Sequence, residues 1–83
     1  MNQEKEPHTK EFQIFVNSRP RKVIGPMITF AQLLQLAGVD TSANPALYEV
    51  EWIHGHRAGT LVPGQSVDLE NGMRFDVGKS NRS

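Results

Sequence analysis

The residue types that could do chemistry in this chain are few. His54 and His56 flank Gly55. In an extended chain, side chains at i and i+2 point the same way, which is how two metal ligands can converge. No third ligand follows at a suitable spacing, so the pair reads as two solvent-exposed histidines, and no metal site is expected. Glu49 and Glu51 alternate in the same manner. Paired carboxylates that work as acid and base need an apolar pocket, and no pattern here supplies one, so they read as the wet face of a strand. Gly64-Gln65-Ser66 begins like a nucleophile turn, but Val67-Asp68 follows in place of the closing glycine. No glycine-rich loop has a phosphate-binding spacing. Cysteine is absent. That excludes a thiolate nucleophile, an iron–sulfur cluster, a disulfide framework and any thiolate zinc site. The sequence therefore reads as no enzyme and as needing no cofactor.

What remains is binding chemistry. Arg19, Arg21 and Lys22 cluster on one turn and could dock on an acidic partner surface, although three cations on a turn are commonly just a soluble turn. Over the whole chain, 9 Lys and Arg balance 9 Asp and Glu. No nucleic-acid partner is expected, because phosphate neutralisation needs clustered excess cations. No apolar run approaches the roughly 20 residues of a membrane span, and no basic start leads into an apolar segment. The expectation is a small cytoplasmic module without membrane contact, monomeric or weakly self-associating.

At 83 residues the chain holds one domain. Residues 1–10 contain no large apolar side chain beyond Met1 and read as a disordered tail. Residues 79–83 are polar and read as a flexible C-terminal tail. The folded unit is expected over 11–78.

Within it, Phe12, Ile14 and Val16 alternate onto one face of a first strand. Asn17-Ser18-Arg19-Pro20 is turn chemistry, and residues 21–24 return as a second strand. Thr29 with Gln32 predicts a capping box, with Ile28 and Leu33 as its staple. Phe30, Leu33, Leu34 and Ala37 give a helical apolar face, ended by Gly38. A helix of about eight residues cannot persist alone and must pack on a sheet. Residues 47–53 predict a third strand, with Tyr48, Val50 and Trp52 inward. Residues 54–64 read as a glycine-rich loop. Two further strands, 66–70 and 73–77, are expected to join as a hairpin through Asn71-Gly72. Trp52, Phe30, Phe75, Tyr48, Leu33, Val50 and Val67 form the expected core. The order ββαβββ in so short a chain is that of an α+β β-grasp: a mixed sheet of four to five strands with one helix packed across it. That fold, rather than the residues, implies that the first and last strands lie parallel at the centre.

Phe15 lies opposite Ile14 and Val16, and Leu47 and Ile53 lie off the Tyr48 face. Together they are a candidate apolar interface patch.

The sequence resembles the ubiquitin-like superfamily, and within it the bacterial multiubiquitin-type domains. The residues that carry the resemblance are Val16-Asn17-Ser18-Arg19-Pro20, Leu36-Ala37-Gly38-Val39, Gly59-Thr60-Leu61, Gly64-Gln65-Ser66-Val67 and Gly72-Met73-Arg74-Phe75-Asp76-Val77, in that order. The resemblance covers about residues 11–83. It implies a small protein modifier whose C-terminal carboxylate is adenylated by a ubiquitin-activating-like enzyme, passed to a conjugating-like enzyme and attached to target proteins. The resemblance also implies a metallopeptidase that trims the tail in such systems, some of which are linked to defence against phage. The end of this chain departs from ubiquitin. In place of a terminal Gly-Gly, which threads a narrow enzyme channel without Cβ clashes, it reads Lys79-Ser80-Asn81-Arg82-Ser83. Three readings stay open. A peptidase clips after Gly78; Ser83 or a residue before it is the activated end; or the domain is a noncovalent interaction or oligomerisation scaffold. Gly78 also reads simply as a strand terminator. A sulfur-carrier role would need the missing Gly-Gly.

Overall fold

The computed structural model describes residues 10–40 and 44–80. Seven strands, one α-helix and a 3₁₀ turn follow one another: β1 (Glu11–Val16), β2 (Arg19–Ile24), β3 (Met27–Thr29), α1 (Phe30–Leu36), the 3₁₀ turn Pro45–Leu47, β4 (Tyr48–His54), β5 (Arg57–Leu61), β6 (Ser66–Asp68) and β7 (Arg74–Lys79). Five strands form one mixed sheet in the order β2-β1-β7-β4-β5, and β3 and β6 form a small second ladder. β1 runs parallel to β7 at the centre, and the other pairings are antiparallel. The helix packs on one face of this sheet. The architecture is the α+β β-grasp that the element order implied.

The β1–β2 turn is built by Asn17 and Ser18, both at positive φ (51° and 71°). That is the type I′ geometry of a two-residue hairpin, and asparagine tolerates it well. Alternation along β1 then places Ile14 and Val16 in the core. At the helix start, Gln32 N donates to Thr29 Oγ1 at 3.1 Å, and Thr29 N donates to Gln32 Oε1 at 2.9 Å. Both bonds of the capping box are present, and two otherwise orphaned amides are satisfied. Replacing Thr29 by alanine should lower stability by about 1 kcal/mol, read as a shift in urea midpoint with unchanged slope.

Phe30, Leu33 and Leu34 of the helix meet Ile14, Val16, Ile28, Val50, Leu61, Leu69, Met73 and Phe75 in a single core. Of the expected core residues, Tyr48, Trp52 and Val67 are half-buried at its margin.

Two expectations about the second half are corrected. Residues 54–64 are not a loop, since β5 runs through them and pairs with β4 from Val50↔Leu61 to His54↔Arg57. Gly55, at φ +63°, occupies the first central position of the two-residue turn, which is where a type II′ hairpin needs glycine. Nor do 66–70 and 73–77 form a hairpin. Asn71-Gly72 does turn, but β6 pairs with β3, while β7 lies between β1 and β4. Both edges of β7 are already occupied, so no edge is left for β6. The turn instead clamps the start of β1: Gln13 N donates to Asn71 Oδ1, and Gly72 N to Gln13 O, both at 2.8 Å.

At the margins the hydrogen-bonded ladders reach just past residues 11–78. Residues 1–9 of the expected N-terminal tail lie outside the described residues, while Lys10 O accepts a bond from Gly25 N. At the other end β7 continues through Lys79, one residue into the expected tail, because Tyr48 of β4 is there to pair with it.

Candidate functional site

Two regions follow from this frame: the C-terminal end of β7, and the sheet face away from the helix.

β7 is the last strand and the central one. Its parallel pairing with β1 covers only Arg74 and Phe75. One step further, the β1–β2 turn replaces the missing strand with a side chain. Asn17 Oδ1 accepts from Val77 N at 2.8 Å, and Asn17 Nδ2 donates to Val77 O at 3.3 Å. Beyond Val77, the described contacts of the β7 backbone come from the β4 side. Gly78 lies opposite Glu49, Lys79 opposite Tyr48, and Ser80 N donates to Leu47 O at 2.7 Å. Gly78 is exposed, and a Cβ added there meets no atom within 4 Å. Neither packing nor φ requires glycine at this position. Ser83 lies outside the described residues.

On the open face, the register aligns Pro20, Phe15, Arg74, Ile53 and Ala58 in one row across all five strands. Phe15 and Ile53 are thus brought into the middle row of the sheet with Arg74 between them. The Arg74 guanidinium sits 5.1 Å from the centre of the Phe15 ring, so this phenylalanine is half-buried under a cation. Leu47 does not join them. It stands exposed in the 3₁₀ turn before β4, six residues along from Ile53, or about 20 Å of extended chain.

The three cations of the first hairpin also separate. Lys22, opposite Gln13, belongs to the open face, and Arg19 stands exposed at the hairpin end. Arg21 faces the helix side, and its Nη2 donates to Leu36 O at 3.4 Å, at the carbonyl end of α1. A cation there satisfies an orphaned carbonyl and complements the helix dipole. Its role is structural first.

The next row of the open face pairs Asp76 with Glu51, and Glu51 with Thr60. Like charges directly opposite on neighbouring strands are unfavourable. The alternation of Arg74 and Asp76 against Phe75 and Val77 is visible in the sequence. Recognising that both outward residues join the Glu49 and Glu51 face required the register of β7 against β4.

Next to Ile53 at the end of β4, His54 Nδ1 lies 3.1 Å from Glu70 Oε1, and its Nε2 lies 3.0 Å from Asn71 O. Arg57 Nη1 donates to Glu70 Oε2 at 2.9 Å and stands over the Trp52 ring at 5.8 Å. Both nitrogens of His54 are thereby engaged. Among the described residues no group of three or more His, Asp or Glu side chains is placed to hold a metal ion. No helix among them is long and apolar enough to cross a membrane.

A β-grasp domain with an uncovered sheet face and a C-terminal strand at its centre is the frame of ubiquitin-like proteins. The multiubiquitin family model matches residues 12–81, and the chain belongs to that family. No curated protein and no solved structure matches it.

Proposed function

We propose that this domain is a bacterial ubiquitin-like modifier, activated at its C-terminal segment by ubiquitin-activating-like and conjugating-like enzymes and attached to target proteins. The supporting observation is how the C-terminal end of β7 is held. The chain leaves the sheet from its central strand, and past Val77 its described backbone contacts come from the β4 side, ending at Leu47. A strand end tied along one edge can peel into an enzyme groove without opening the core, whose β7 member is Phe75. If a metallopeptidase trims the chain after Gly78, it must first lift Lys79 and Ser80 from Tyr48 and Leu47. Activation further along the tail avoids that step.

The experiment is an N-terminally tagged chain recovered from its native cells under denaturing conditions. Conjugation gives higher-mass species that survive denaturation and disappear when residues 78–83 are removed, which deletes both candidate ends, Gly78 and Ser83. The alternative, a noncovalent scaffold, gives a single band under denaturing conditions and assemblies on native gels. Those assemblies would weaken when Phe15 or Lys22 is replaced, since these are open-face side chains.

A further inference from the structure

The two edges of the main sheet are unlike each other. In a two-residue hairpin the residues that close the turn exchange hydrogen bonds, and alternate residues then turn their N–H and C=O outward. The closing pair of the β1–β2 hairpin is Val16↔Arg19, so the outward positions of β2 are Pro20, Lys22 and Ile24. Proline removes one donor and lysine adds a charge, which is how a sheet edge is blunted against pairing. The closing pair of the β4–β5 hairpin is His54↔Arg57, so the outward positions of β5 are Ala58 and Thr60. Both retain their N–H, both side chains are small, and both residues are exposed. Among the described residues nothing blunts this edge.

Its surroundings specify what it would take. An added strand would place side chains directly beside Ala58 and Thr60 on the open face. The row through Ala58 continues to Ile53, which is 49% exposed, and the row through Thr60 continues to Glu51 and Asp76. Among the described residues no ion pair is formed by Glu51 or Asp76, and the neighbouring cation Arg74 stands over Phe15. On the helix side, the position between the two lies over Gly59. There an added Cβ would come within 2.8 Å of Trp52 Nε1, so the indole fills the place of the missing side chain. A depression of about 450 Å³ lies on the open face beside this edge, lined by Ala58, Thr60, Ile53, Glu51, Arg74 and Asp76 among others.

We infer that the free edge of β5 accepts an extended, basic peptide segment of a partner protein as a sixth strand. One side chain of that segment is a lysine or arginine reaching over Thr60 to Glu51 and Asp76. The side chain two residues away is apolar and covers Ala58 and Ile53. In the antiparallel orientation the segment reads basic, any residue, apolar from N to C. Main-chain bonds to Ala58 and Thr60 supply affinity, and the alternate side chains supply selectivity. The edge strand lies two strands from β7, while the acidic row of Glu51 and Asp76 borders Gly78 and Lys79; the peptide site operates whether or not the chain is conjugated.

Trp52 is the one tryptophan of the chain and reports on the site directly. The probe is the capped peptide Ser-Thr-Lys-Val-Val-Thr-Ser, with a control in which glutamate replaces lysine. The expected result is a saturable change in Trp52 emission with the lysine peptide and binding about tenfold weaker with the glutamate peptide. Glu51→Lys should reverse that preference. Thr60→Pro should abolish binding with little change in melting temperature, because the N–H it removes faces solvent. If that variant does not fold, Ala58→Pro removes the other outward donor. No saturable change with either peptide, equal affinity for both, or undiminished binding by a folded proline variant would overturn the inference. So would a concentration-dependent dimer of the free chain that Thr60→Pro dissolves, since a second copy would then be the occupant of the edge.

Discussion

Replacing Phe75 by alanine should remove about 3–5 kcal/mol of stability. Phe75 is 1% exposed and sits in the central strand, with Val16 beside it on β1 and Trp52 on β4. Its ring therefore joins the two halves of the sheet beneath the helix. A domain this small has a net stability of only about 5 kcal/mol or little more. The variant should be largely unfolded at room temperature, or its urea midpoint should fall by more than half. Trp52 emission and far-ultraviolet circular dichroism, followed together, measure this. A loss below about 1.5 kcal/mol would mean that the core can close around the gap, and that Phe75 does not hold the sheet together.

The second large effect is expected at Asn17, where turn and strand meet. Asn17→Ala places a Cβ residue without a local hydrogen-bonding side chain at φ 51°, which costs about 1–2 kcal/mol. It also removes both bonds to the Val77 backbone, worth about 1 kcal/mol each. The total is about 3–4 kcal/mol. Asn17→Gly separates the two causes: it restores the turn and leaves Val77 unpartnered, so it should cost roughly half as much. Amide hydrogen exchange locates the effect. In both variants the Val77 amide should exchange faster, while Phe75, which is bonded through its carbonyl to Asn17 N, should change less. Equal costs for the two substitutions, with no change at Val77, would show that the amide bridge adds nothing to the C-terminal strand.

Much of the first half was legible in the sequence because its signals are local. Thr29 and Gln32 are three residues apart and specify a cap without outside help. Asn17-Ser18 sits between two alternating segments, and that is sufficient for a hairpin. The central parallel pair came from the element order of the β-grasp. The second half was less legible because its signals are completed from elsewhere in the chain. β5 lacks a large inward residue at Gly59, since Trp52 of β4 already occupies that space. Read alone, Arg57-Ala58-Gly59-Thr60-Leu61 looks like a loop. Asn71-Gly72 carries the dipeptide of a hairpin, but pairing depends on which strand edges are free, and those of β7 were taken.

The candidate site divides along the same line. Phe15 and Ile53 were placed on one face by alternation within their own strands, and they do align in one row. Leu47 shares their outward character but stands in the turn before β4, a distance that alternation alone does not show. Arg19, Arg21 and Lys22 are adjacent in sequence, and strand geometry sends Arg21 toward the helix. Its bond to Leu36 O joins residues 15 apart in the chain. The facing of Asp76 and Glu51 depended on register between strands and appeared only with the fold.

The central claim is that the C-terminal segment is the working end of the molecule. Intact-mass and fragmentation analysis of the protein from its native cells, with and without its neighbouring genes, tests it most directly. The account predicts that the C-terminal carboxylate is found joined to target proteins, with or without prior loss of residues 79–83, and that the joined forms vanish when the neighbouring genes are removed. A full-length chain with a free carboxylate under every condition, active partner enzymes included, would contradict the account and leave the domain a noncovalent scaffold.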